Sequence, residues 1–304
     1  MKSKNNNKNN ALRLTGSDKV FVGLIYLILI AVSLIFLIPM LNVTVSSFSS
    51  PKAVAAGKVT VFPIGFNLEA YKMVFANNKL VLGFTNTIIY TLFGTLLNIF
   101  ITVLAAYPMS REDFAAKNIF MKFFTFTMYF NGGIIPTYLL YKSMGLVDSR
   151  LVMIIPGALS IYNMIVMRTS LQTNLPNEIL EAAKIDGCDD FRFLRQFVVP
   201  LSKPIIAVIV MFYAIGHWNS YFDAYVYLSS ESKYPLSIFI QTILGGLVTK
   251  GETVKNYEAA AQQELYKDIV QYALIIVTCL PVWICCPFMQ KYFVHGVMVG
   301  AVKG

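Results

Sequence analysis

Residues 181–200 read EAAKIDGCDDFRFLRQFVVP, a short charged island between two long apolar stretches. Glu181, Ala182 and Ala183 lead to Asp186 and the helix breaker Gly187, and the island closes on Phe197-Val198-Val199-Pro200. The pattern predicts helix, tight turn, helix over 176–200. Pro176 suits a first helical turn, where its missing N–H costs nothing. Glu178 and Glu181 put negative charge toward that helix's N-terminal half. Gly187 can take the left-handed conformation that ends a helix, and Asp189 or Asp190 can cap the next one. Phe191, Leu194 and Val198 are spaced to share one face. Ala182 and Ala183 leave a surface thin enough to enter a groove. Such a hairpin is suited to press into another protein. The plainer alternative is an amphipathic loop packed on its own helices.

The 304-residue chain is 56% hydrophobic and 13% charged, with a mean hydropathy of +0.61. Soluble domains carry about 25% charged residues, and a soluble chain this apolar would expose aggregating patches. Lipid must therefore be the solvent for much of it. The net charge of +9 is scattered between apolar segments. That distribution fits membrane topology and anionic lipid, not nucleic acid. Cys188, Cys279, Cys285 and Cys286 match no zinc spacing and read as packing. His217 and His295 have no companion ligands, so no metal is predicted, and His217 beside Trp218 reads as a polar packing residue.

Six segments are long enough to cross a bilayer, at about 20 residues each. They fall at 20–44, 81–109, 118–141, 151–171, 202–228 and 267–289, and all must be helical, because an open strand cannot satisfy its backbone in lipid. Prolines such as Pro136, Pro156 and Pro204 are expected to kink or end some of them. Residues 1–19 are polar and low in complexity, which predicts a disordered tail too polar to begin a cleaved leader. Residues 290–304 form a second tail. With the N-terminus inside, the inner segments hold fifteen of the 25 Lys and Arg. This bias favours both termini in the cytoplasm and puts the 176–200 hairpin there too. Short surface helices are expected near 68–71 and 256–261, in the two long outer loops.

The spaced pattern Glu-Ala-Ala, three residues, Gly, nine residues, apolar-x-apolar-Pro resembles the coupling loop of the membrane subunits of ATP-binding-cassette (ABC) importers. Phe197 and Val199 stand where that family has Ile and Leu. Asn131-Gly132-Gly133-Ile134-Ile135-Pro136-Thr137, Trp218-Asn219-Ser220-Tyr221-Phe222-Asp223-Ala224 and the tail from Gln290 are similar to carbohydrate-importer permeases of the maltose type. The likeness is greatest to the subgroup handling complex oligosaccharides and polysaccharide fragments. The resemblance covers nearly the whole chain after about residue 15. It implies an all-α membrane protein with six transmembrane helices, the type I ABC importer permease fold, and a cytoplasmic helix-turn-helix coupling loop.

The resemblance also implies an assembly: a second, homologous permease, two ATPase subunits and an extracellular solute-binding protein in a bacterial plasma membrane. No Gly-x-x-x-x-Gly-Lys-Ser/Thr loop occurs in the chain. ATP and its Mg would therefore sit on the partner ATPase, and this subunit would carry no cofactor and no catalysis. Glu181, Ala182, Ala183, Asp186, Gly187 and Pro200 would contact that ATPase. The tail, with Gln290, Lys291, Gly296 and Gly300, would insert between the ATPases.

Sugars are bound by aromatic faces and by amide or hydroxyl groups, and polar groups at membrane depth are costly unless they face a cavity or a partner. Tyr129, Asn131, Trp218, Asn219 and Tyr221 are the candidates for the sugar path, with Asn86 and Asn163 behind them. Each could instead make an interhelical hydrogen bond. A stand-alone secondary transporter, an intramembrane enzyme and an importer for a non-sugar solute remain as alternatives. The first lacks an intramembrane charge relay, and the second lacks a paired nucleophile and base.

Overall fold

A computed structural model of the chain describes residues 16–244, 266, 268–285 and 287. The expected helix near 256–261 and the tail 290–304 lie outside the described residues. Among those described, the structure is helical with no strand. The described residues divide into two compact units, one within 1–70 and 258–273 and the other within 71–257 and 274–304.

In the first unit, α1 spans Gly16–Ser47. Gly16 to Lys19, expected in a disordered tail, instead form its first turn. None of its apolar window is buried, as befits a helix whose solvent is lipid. The chain after α1 folds back on that helix's end. Asn42 Nδ2 donates to the Val59 and Thr60 carbonyls, both at 3.1 Å. Ser50 N–H reaches the Ile64 carbonyl at 2.9 Å, and Phe48 stacks on Phe66 at 5.9 Å. Helix α2 (Pro51–Ala55) lies within this loop, with Pro51 at its first helical position. Helix α3, Glu69–Ala76, stands where a surface helix is expected, and from Tyr71 on it belongs to the second unit.

The second unit is organised by α4, Asn78–Ser110, which starts on an Asn77 side-chain cap. Its buried positions include Gly83, Asn86, Thr87, Tyr90, Gly94, Asn98, Thr102 and Ala106, at three- and four-residue steps, while Leu92, Phe93, Leu96 and Phe100 face out. This inversion of the soluble pattern follows from lipid being as apolar as Leu. Helices in a bilayer associate through small residues and hydrogen bonds.

The sequence predicts six crossings, some of them kinked or ended at prolines. Three described helices are individually long and apolar enough: α1, α4 and Asp268–Cys285. The other three expected segments are interrupted. Segment 118–141 divides into α5 (Lys117–Tyr129) and α6 (Ile134–Ser143). At the break Asn131 Oδ1 accepts the Gly133 N–H at 2.8 Å and Gly133 sits at φ 87°. Segment 151–171 opens as a tight turn at Arg150–Met153 and becomes the helix α7 only at Ile161–Asn174, beyond Pro156 and a left-handed Gly157. Helices α8 (Asn177–Ile185), α9 (Asp190–Phe193) and α10 (Val199–Leu201) make the hairpin region. Segment 202–228 then follows as α11 (Lys203–Trp218) and α12 (Phe222–Tyr227). The run Asp190–Leu201 meets α11 at an 82° bend. Helix α13, Leu236–Leu244, comes after a short turn at Glu231–Lys233, and Asp268–Cys285 is α14.

Helix α4 packs on α11, α7 and α13. The α4–α11 seam is polar. Asn98 Nδ2 meets His217 Nε2 at 3.1 Å, and Thr102 Oγ1 meets the Tyr213 hydroxyl at 2.7 Å. At the Asn78 end, Asn86 Nδ2 donates to the Ser232 and Tyr234 carbonyls at 3.0 and 3.1 Å. Asn86 also accepts from Arg150 at 3.3 Å, and Tyr90 donates to the Lys233 carbonyl at 2.8 Å. Asp148, at φ 55°, takes the N–H groups of Ser229 and Ser230 at 3.0 and 2.9 Å. It also takes the Ser230 hydroxyl and the Lys233 ammonium, and these partners, the Ser230 hydroxyl first, hold its carboxyl well below the usual carboxylate range.

Candidate functional site: a capped hairpin and a polar cavity

The hairpin is built by local rules. Helix α8 begins after Pro176 and carries Glu178 in its first turn and Lys184 in its last, each favourable to the helix dipole. It ends in a Schellman motif. Gly187 N–H reaches the Lys184 carbonyl at 3.0 Å and Cys188 N–H reaches that of Ala183 at 2.9 Å. Gly187 itself sits at φ 72°. Asp189 then caps α9, its Oδ1 accepting Arg192 N–H at 2.7 Å.

Two sequence expectations change here. Ala183, expected on a contact surface with Ala182, is only 6% exposed and belongs to the core with Tyr107, Met167, Leu171 and Phe193. Ala182 stays exposed. Phe191 does not share a face with Leu194 and Val198. It is 71% exposed while they are buried. Phe193 is buried in its place, and the π-type turn over Leu194–Val198, which adds a residue to the helical period, precedes the buried Val198. The outward surface is therefore Glu181, Ala182, Ile185 (86% exposed), Asp186, Gly187, Phe191 and, beyond the π turn, Pro200. Two bare apolar side chains, Ile185 and Phe191, stand on either side of the glycine turn.

The hairpin is tied to the Ser110 end of α4 by Arg111. That guanidinium donates to both Asp113 oxygens, at 2.8 and 2.5 Å, to the Tyr107 hydroxyl at 2.8 Å and to Asp190. Lys184 Nζ reaches the same Asp113 at 2.9 Å. Arg111 and Lys184 hold the Asp113 carboxyl well below its ordinary range. Sequence reading misses this cluster, because its members lie on three separate stretches of chain.

The sugar-path candidates separate. Trp218, Asn219 and Tyr221 come together where α11 breaks. With Ser237, Gln241 and Thr278 they line a cavity of about 330 Å³. Trp218 Nε1 donates to the Thr278 carbonyl at 3.1 Å and Asn219 Nδ2 to the Ile215 carbonyl at 2.9 Å. Tyr129 lies elsewhere, 81% exposed, on an open groove of about 790 Å³ with Lys122, Phe126, Phe130 and Arg168. Asn131 shapes the α5–α6 turn and lines neither space. Asn86 is buried in the interhelical bonds described above, and Asn163 is buried near the start of α7, behind the Ser160 cap. His217 is a packing residue against Gly94 and Asn98.

No protein-family model matches the chain. It is 35% identical over 287 residues to the polygalacturonan/rhamnogalacturonan transport system permease protein YtcP of Bacillus subtilis, covering 94% of this chain and 99% of that protein. It is 36% identical to protein LplC of the same organism, over 95% of this chain and 97% of that one. Among solved structures, it matches a chain of a bacterial ABC transporter involved in the import of the acidic polysaccharide alginate. The TM-score is 0.84 at 32% identity, over 92% of this chain and 98% of the other. Full-length similarity at this level, together with the lipid-facing helices, establishes that the chain belongs to the permease subunits of ABC carbohydrate import systems.

Proposed function

We propose that this permease forms half of an import path for oligosaccharides, fragments of an acidic polysaccharide among them, and is driven by a separate ATPase that grips the 176–200 hairpin. One observation supports this reading above the rest. The hairpin is rigidly capped inside and leaves Ile185 and Phe191 bare beside Gly187, and apolar anchors ringed by charge are what a docking surface requires. In this reading the chain crosses the membrane six times with both termini in the cytoplasm, and the broken segments 118–141, 151–171 and 202–228 supply three of the crossings. Interrupted helices are tolerated at membrane depth where they line a cavity or are buried in protein.

A second, homologous permease completes the path, an extracellular binding protein delivers the sugar, and the tail from Gln290 and Lys291 through Gly296 and Gly300 reaches the ATPases. Trp218, Asn219 and Tyr221 offer a ring face, an amide and a phenol to the passing sugar. Tyr129, on its open groove, faces the partner permease. The names of the relatives supply the acidic substrate class, while the cavity by itself suits any sugar.

The test is ATP-driven uptake in proteoliposomes holding the full complex and its binding protein, with radiolabelled oligogalacturonides and neutral maltodextrins compared. Uptake of either, lowered about tenfold or more by Trp218→Ala with the ATPase still bound, supports the sugar path. Uptake of neither, with ATP hydrolysis stimulated by an amino acid or another non-sugar solute, refutes it.

A further inference from the structure

A lever moves a helix only if something stiff joins the two. At the Ser110 end of α4, three stretches of chain meet in one ionic cluster around Arg111. Arg111 caps α4, its side chain is 11% exposed, and four of its five N–H groups are engaged by Asp113, Tyr107 and Asp190. Asp113 belongs to the loop after α4 and also holds Lys184, in the last turn of α8. Asp190 opens α9. Lys184 and Asp190 flank the Gly187 turn, so one arm of the hairpin is bound to Arg111 directly and the other through its partner Asp113. The cluster sets two cations against two carboxylates and is neutral as a group, so no net charge draws it apart. Beneath it, Ala183, Phe193 and Val198 pack with Tyr107, Met109 and Met167. Arg168 of α7 donates to the Met109 carbonyl at 2.8 Å and satisfies an orphan acceptor of the helix end.

We propose that Arg111 is a positioning residue that makes the hairpin and α4 one rigid body, so that a push on the hairpin reaches α4 as a tilt. The proposal rests on the reading of the hairpin as the ATPase contact. Helix α4 has 33 residues and is about 50 Å long at 1.5 Å per residue, so a tilt of about 5° at the hairpin end moves its far end by about 4 Å. A displacement of that size suits a packed, bistable assembly. Without the clasp, the same push is absorbed in the loop 111–116. Lysine does not replace Arg111. Its ammonium is a point charge on a flexible stem and cannot hold two carboxylates and a phenol in one plane.

The experiment measures a distance inside the working complex. The four native cysteines are replaced, and spin labels are placed on Glu178→Cys in α8 and Leu92→Cys in α4, both exposed positions. Pulsed electron resonance is recorded with and without ATP and vanadate. One narrow peak at an unchanged distance in both states is expected. Arg111→Lys should broaden or split that peak, and Asp190→Asn, a milder change at an exposed side chain, should broaden it less.

A peak that shifts with nucleotide in the otherwise native protein overturns the proposal. So does a variant pair as narrow as the parent. In a parallel preparation, crosslinking from Phe191→Cys to the ATPase subunit reports the docking reading separately. Loss of that crosslink with the narrow peak kept would condemn the docking and spare the clasp. A retained crosslink with a wandering peak would do the reverse.

Discussion

At Gly94, α4 packs directly against the His217 ring of α11, and the contact gives the sharpest energetic prediction. A Cβ built at Gly94 falls on the His217 ring, closer than real atoms approach, and the obstacle is a ring already held by Asn98. In Gly94→Ala the ring must move, the seam opens, and the Asn98–His217 hydrogen bond is lost. Overpacking costs about 1–3 kcal/mol and an interhelical hydrogen bond in a bilayer averages about 0.6 kcal/mol. The better helix propensity of Ala returns up to about 1 kcal/mol. The net expectation is a destabilisation of about 1–3 kcal/mol, read as a shift in unfolding of the purified subunit in mixed detergent–SDS micelles.

Gly216 supplies the control. Among the described residues nothing lies within 4 Å of a Cβ placed there, so Gly216→Ala should be neutral or stabilising by up to about 1 kcal/mol. The mechanism is checked by a cycle. In a His217→Ala background the Gly94→Ala penalty should shrink by at least about 1 kcal/mol. A Gly94→Ala protein as stable as the parent, or a penalty untouched by removing the ring, would refute the close-packed seam.

Three further outcomes follow from the same geometry. Gly187→Val places a β-branched residue at φ 72°, which costs at least about 1–2 kcal/mol locally. It should leave the protein in the membrane yet cut ATP-driven uptake about tenfold or more, measured against membrane abundance by immunoblot. Asp148 has a folded-state pKa below its unfolded value, so its stabilisation is present above about pH 4 and is lost only as pH falls further. Thermal unfolding should therefore show a contribution, removed by Asp148→Asn, that is constant from pH 8 to 5 and fades below about 4. Truncation after Gln290 should lower ATPase stimulation by the complex, and an unchanged rate would remove the tail from the mechanism.

Long apolar stretches were legible because length is the whole signal. Helices α1 and α4 fall within a few residues of 20–44 and 81–109. The interruptions were harder, because hydropathy averages over a window and Phe130–Gly133 or Asn219–Tyr221 barely lower it. Pro156 is visible as a breaker, but not that about ten residues around it leave the α-helix. The hairpin's caps could be read, because Gly187 and Asp189 act on their own neighbours. Its faces could not, because which side is buried is set by Tyr107, Met167 and Leu171, which are distant in the chain. Neither the Arg111 clasp nor the Gly94–His217 contact has any local signature. Both join residues roughly 80 to 120 positions apart in the chain.

The most direct test of the account is to tag this chain in its native host, isolate it in mild detergent, and compare the native protein with Phe191→Glu by mass spectrometry. The account predicts a second permease and an ATPase with the native chain, and the second permease without the ATPase for the variant. Recovery of the native chain alone after crosslinking, or full retention of the ATPase by Phe191→Glu, would contradict it.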